Sequence, residues 1–205
     1  MTDEGWNQAQ RDSLDAVAPG RRLFTLNRAF TPGLSRLGAA TWTGDVQASW
    51  LELRRTPGYV LKWMLAGSAH VACDIGGFEP ETNGQLLTRW YQVGVFLPLM
   101  RVHSIYWARP HFPYLWGDAA AAAMRSALEL RYRLLPYHYS LAHRAFAEGV
   151  LMLRPLLAAY GADAHAIELT SQWLVGDALV GAQGVEHGKN LEPADGGATL
   201  GAHTR

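Results

Sequence analysis

Three apolar or small-residue runs in this chain each lead to a polar residue, and the three are evenly spaced. LGAATWTG leads to Asp45, SAHVAC to Asp74 and VGVFLPLMRV to His103, so the steps from 45 to 74 and from 74 to 103 are 29 residues each. A strand plus its return helix takes about that length in a (β/α) barrel, so the repeat predicts that the three side chains lie next to one another on one rim. Residues 47–55 and 81–93 look helical, and in the second Leu86, Leu87, Trp90 and Tyr91 supply the apolar spacing. Strand alternating with helix predicts an α/β fold with parallel strands.

Composition bounds the function. With 205 residues the chain can bury a core, yet it is short for a whole barrel of about 250 residues. Eighteen basic and 18 acidic residues balance to zero, which argues against nucleic acid and an anionic membrane surface as partners. The single cysteine, Cys73, excludes an internal disulfide and fits a reducing compartment. The opening MTDEGWNQAQ has no basic stretch followed by an apolar one, and no run is long enough to span a bilayer, so a soluble, cytoplasmic protein is expected. Eight Trp and eight Tyr are a rich supply of flat apolar faces with a polar edge, which suit sugar rings when they are not simply core.

Elsewhere, residues 5–17 are expected to form a helix stopped by Pro19-Gly20, residues 22–30 a strand, and residues 38–42 the strand that delivers Asp45. Pro57 is expected to end the 47–55 helix before a second one over 59–65. From Gly117, Asp118 is placed to cap an Ala-rich helix that Pro136 ends or kinks, with a further helix over 137–148 closed by Gly149. SQWLVGDALVGAQGV predicts two short strands about Gly176-Asp177. The expected domains are residues 1–155, residues 156–189 and a disordered Gly/Ala-rich tail over 190–205.

The blocks TLNRAF, WTGDV, DIGGF, LLTRWYQVGVFLPLMRVHS, LRYRLLPYHYSLAHRAFAEG, MLRPLL and QWLVGDALV resemble, in order, those of glycoside hydrolase family 31, the α-glucosidase and α-xylosidase family. The resemblance covers residues 22–185. It implies a partial (β/α)8 TIM barrel, about strands five to eight, followed by the start of a C-terminal β-sandwich. The implied chemistry is retaining cleavage of α-linked sugars without a cofactor or metal, on an oligosaccharide or small α-glycoside.

Retaining cleavage needs two carboxyl groups about 5 Å apart, one nucleophile and one acid/base. By resemblance Asp45 is the acid/base, its proton affinity to be raised by burial beside Trp42; the residues alone also allow it as a helix N-cap. Arg28, Asp74, Phe78 and His103 are implied to contact the sugar, with Trp42 a wall of the pocket. Trp107 falls in the loop after the third unit, where barrels build substrate walls, while Trp63 and Trp90 are expected to pack helices on the barrel. The family's nucleophile ends a strand well before the residue matching Arg28, and only 27 residues precede Arg28 here. Asp3 is the candidate for that position, although Met1-Thr2 cannot form its strand. The chain is therefore expected to be a piece of an enzyme, inactive unless a complementary chain carries the first barrel strands. Two rivals remain: a metal site at Asp45, Asp74 and His103, which lacks any H-x-H or H-E-x-x-H pairing, and a noncatalytic carbohydrate-binding module.

Overall fold

A computed structural model describes residues 2–183 and 201–202. Helix α1 (Asp3–Val17) starts where the Thr2 hydroxyl accepts from the Gly5 N–H at 3.2 Å. Strands β1 (Thr25–Asn27), β2 (Ala39–Trp42), β3 (Val71–Ile75) and β4 (Leu99–Val102) follow, with α2 (Trp50–Leu65) before β3 and α3 (Gly84–Gly94) before β4. They form one sheet in the order β1-β2-β3-β4, every pairing parallel. The alternation therefore gives the predicted parallel α/β layer, and β3, covered on both faces, is buried at all five positions. Leu53, Val60, Met64, Val71, Leu87 and Trp90 are fully buried in the core beneath it.

Helix α4 (Asp118–Glu148) then crosses the molecule to a second sheet of β5 (Leu153–Pro155), β6 (Gln172–Val175), β7 (Leu179–Ala182) and β8 (Gly201–Ala202), all antiparallel, with the short α5 (Ala164–Glu168) between β5 and β6. β6 and β7 flank Gly176-Asp177 as expected. The sheet begins at Leu153, so the boundary anticipated at residue 155 falls inside it. Most of the tail expected to be disordered, residues 190–205, lies outside the described residues; Gly201–Ala202 form β8.

Several expected boundaries give way to tertiary contacts. The strand anticipated over 22–30 shrinks to Thr25–Asn27. Neither proline breaks its helix: α2 runs through Pro57 and α4 through Pro136. A proline removes the N–H that would bond the carbonyl four residues back. For Pro57 that carbonyl belongs to Leu53, and it accepts instead from the Gln183 amide at 2.7 Å, a bond that ties the residue after β7 to helix α2. For Pro136 it belongs to Tyr132, on the exposed face of α4. Helix α2 is capped by Ser49, whose hydroxyl accepts from the Glu52 N–H, not by Asp45.

Helix α4 is fastened at two places. Arg131 donates to the carbonyls of Val95, Leu97 and Pro98 in the connection from α3 to β4, and lies against buried His138. Further along, the Tyr137 hydroxyl donates to the Val175 carbonyl, while Asp177 bridges Arg144 and Arg154.

Candidate active site

The carboxyl ends of the four parallel strands collect the sequence-predicted side chains, which is where barrel sheets carry their chemistry. Arg28 follows β1, Trp42 ends β2, Asp45 lies three residues beyond it, Asp74 sits within β3, Phe78 lies in the loop after it, and His103 follows β4. Backbone bonds continue the pairing past the strand ends and lock these loops together: Phe78 N–H donates to the Val46 carbonyl, Ala48 N–H to Glu79, and Ile105 N–H to Phe78.

Asp74 is at the centre. Its side chain is fully buried, and Oδ1 accepts from the Trp42 indole N–H at 2.9 Å and from Arg101 at 2.5 Å. Oδ2 is buried without a hydrogen-bond partner. Burial pushes the carboxyl up to about 6, against the pull of Arg101 and the Trp42 bond, and the negative charge of Asp45 adds to the rise. A buried carboxylate oxygen with no donor is costly, so the site favours a proton or a ligand hydroxyl at Oδ2.

Trp42 links the rest. The guanidinium carbons of Arg28 and Arg101 lie 5.0 and 4.8 Å from its ring centroid, and the His103 ring meets it edge-on at 6.1 Å. His103 stacks on Phe78 with centroids 5.4 Å apart and planes 23° from parallel. Desolvation and the charge of Arg101 hold the His103 imidazole below its ordinary value, with Asp45 pulling the other way.

Asp45 is exposed rather than buried, and its Oδ2 accepts from Arg28 Nη2 at 2.8 Å. The guanidinium fixes the direction of the carboxylate without removing it from solvent. The even 29-residue spacing thus brings Asp45, Asp74 and His103 into one electrostatic group joined through Trp42 and Arg101.

Gly76 and Gly77 serve packing. Both adopt positive φ, and a Cβ would lie 2.3 Å from the His111 ring at Gly76 and 2.3 Å from the Ala48 backbone at Gly77. The pair therefore lets loops pack together, not a ligand approach. Trp90 is fully buried and Trp63 meets Phe30 edge-on at 5.8 Å, the packing roles expected of both. Trp107 is exposed. Asp3 is the first residue of α1, on a helix and not at a strand end. Among the described residues no group of three or more His, Cys, Asp or Glu is placed to hold a metal ion, and no helix is long and apolar enough to cross a membrane.

Arg101 and His111 were not singled out from the sequence. Arg101 shares the R-x-H block with His103, and the period of two along a strand puts both on one side. His111, buried after a long loop, bonds the Ile75 carbonyl at 2.9 Å, a contact no local pattern announces.

Residues 3–141 match the model of the glycosyl hydrolases family 31 TIM-barrel domain. This chain belongs to glycoside hydrolase family 31. It is 39% identical over 181 residues to a probable glucan 1,3-alpha-glucosidase of Oryza sativa subsp. japonica, a match covering 88% of this chain and 20% of that one. It is 39% identical over 170 residues to the lysosomal alpha-glucosidase of Mus musculus, covering 83% and 18%. Its structure superposes on a family 31 dextranase of Flavobacterium johnsoniae complexed with glucose, with a TM-score of 0.83 and 30% identity, over 90% of this chain and 24% of that one. The family 31 chain thus spans about a fifth of the length of the curated relatives it matches.

Proposed function

We propose that this chain supplies the acid/base side of a retaining site that cleaves α-linked glucosides. The observation that carries the proposal is the rim cluster itself, with a solvent-accessible carboxyl oriented by Arg28 beside a buried one held by Trp42 and Arg101. Asp45 protonates the leaving oxygen and then activates water, since an exposed carboxyl can exchange its proton between steps. Asp74 accepts from sugar hydroxyls through the unpartnered Oδ2, and His103 and Arg28 add contacts that tighten as charge develops at the anomeric carbon. Trp42 forms the wall.

In this reading β1 to β4 are the fifth to eighth strands of a (β/α)8 barrel, and the antiparallel sheet opens a C-terminal β-sandwich. The nucleophile comes from outside these four strands, either from earlier in the same polypeptide or from a complementary chain. The placement of Asp3 on a helix favours that over Asp3 itself. It also favours a second reading, in which the chain binds sugar without cleaving it.

The test is hydrolysis of a nitrophenyl α-glucoside by the purified chain, alone and with a polypeptide carrying the first four β/α units. Turnover is expected only in the mixture, and Asp45→Asn should reduce it at least ~100-fold, the scale of a lost general acid. Turnover by the chain alone would overturn the external nucleophile. An active mixture indifferent to Asp45→Asn would overturn the acid/base assignment. Binding of glucose by calorimetry, with no turnover in the mixture, would leave the binding module.

A further inference from the structure

The loop after β4 displays aromatic side chains that the site does not use. Tyr106 and Trp107 are 91% and 62% exposed and meet edge-on with centroids 4.8 Å apart. Phe112 and Tyr114 are 50% and 73% exposed and lie nearly parallel, 5.7 Å apart at 14°. Exposed rings are ordinary on a loose loop, but this one is pinned between them. Ala108 is buried and its N–H donates to the Ile105 carbonyl. His111 is buried too, its ring on the Ile75 carbonyl and its own carbonyl accepting from the Tyr91 hydroxyl. The rings are thus held out by a fixed backbone, against the tendency of apolar surface to be buried.

The chemistry of the surface selects its occupant. Residues 103–117 contain no carboxylate, and their one arginine, Arg109, is turned onto the Trp116 ring and the Leu115 carbonyl and pairs with Glu81, whose Oε1 lies 4.0 Å from its Nε. A charged polymer finds only this one compensated pair there. Apart from Pro110 and Leu115, the exposed apolar surface is aromatic ring, which suits flat faces lined with C–H groups. The loop also continues directly from the site: Ile105 donates to the Phe78 carbonyl, Phe78 stacks on His103, and Tyr106 is the next residue.

We propose that Tyr106, Trp107, Phe112 and Tyr114 form a stacking shelf for further units of a neutral glucan whose terminal sugar occupies the Asp74 pocket; this rests on the functional reading above. The shelf makes affinity depend on chain length. Calorimetric titration of the full chain with glucose and with maltoheptaose tests it. The longer sugar should bind at least ~10-fold more tightly, and Trp107→Ala and Tyr114→Ala should each reduce that ratio about 5- to 10-fold, the scale of one stacked ring. Both side chains are exposed, so circular dichroism should show an unchanged fold.

A ratio unchanged in the double variant would overturn the shelf. If Asp74→Asn abolishes glucose binding at the same time, the pocket stands and the shelf alone fails. If Asp74→Asn leaves both sugars bound while the ring variants lose the longer one, the shelf stands and the pocket reading fails. Loss of self-association on sedimentation, with sugar affinities intact, would identify the rings as a protein interface and overturn the proposal.

Discussion

Arg101 and Asp74 face each other in the β3–β4 register, and their pairing governs the rim. The Asp74 side chain is fully buried while Arg101 keeps 30% exposure, so the arginine spans from the carboxylate to solvent. Arg101→Met keeps an apolar stem near Trp42 and leaves a buried carboxylate with one donor. Removing one partner of a buried pair costs about 3–5 kcal/mol, and the low end applies because Arg101 is partly solvated. Urea unfolding should show that loss, and the double variant Arg101→Met/Asp74→Asn should recover most of it. No recovery would mean that Arg101 stabilises through the Trp42 ring instead. Asp45, Asp74 and His103 were legible as a group because spacing along parallel units maps onto neighbouring strand ends. Arg101 was not, because its role depends on the stagger that sets it opposite Asp74.

The elements show where local signals lose to packing. Pro57 and Pro136 announce breaks, and in isolation a proline in a helix interior costs ~3 kcal/mol or more. Helix α2 persists through Pro57 because the freed Leu53 carbonyl finds Gln183 from the far end of the chain, a partner no window around Pro57 contains. Gln183→Leu should leave that carbonyl buried and unpaired, a loss of about 1–3 kcal/mol. Hydrogen exchange should quicken in the α2 turn around Pro57 and in β7. Unchanged exchange in both would show that the bond does not couple the second sheet to α2. Alternation of elements was legible because α3 and β3 carry strong periodic or continuous apolar patterns. The strand expected over 22–30 is too long, since apolar positions such as Leu23, Phe24 and Leu26 say nothing of where pairing stops.

Across the whole molecule, buried and half-buried titratable groups pull stability in opposite directions as pH falls. His70, His103 and His111 are held below the ordinary histidine value by desolvation, and His138, buried beside Arg131, is pushed from 6.5 down to about 4. Their unfolded forms take up protons first, so the stability they contribute is present above pH 6.5 and is lost as pH falls toward 4. Asp74 has the opposite sign. Its folded value is raised from 3.8 to about 6, so its contribution is present below 3.8 and lost as pH rises through 6. A fully shifted group changes stability by ~1.4 kcal/mol per pH unit; His138, moved from 6.5 to about 4, alone matches Asp74, moved from 3.8 to about 6, and the other three imidazoles pull the same way as His138. Urea midpoints should therefore fall as pH drops below 6.5. Asp74→Asn removes the one opposing group among these five, so its midpoints should fall more steeply below pH 6 than those of the parent. His138→Gln should flatten the fall instead, since the largest histidine shift is gone. An Asp74→Asn profile shallower than the parent's would show that the carboxyl between Trp42 and Arg101 stays ionised throughout and that its pairing outweighs its burial, whereas a parent profile flat from pH 6.5 to 4 would show that the Asp74 carboxyl offsets all four histidines.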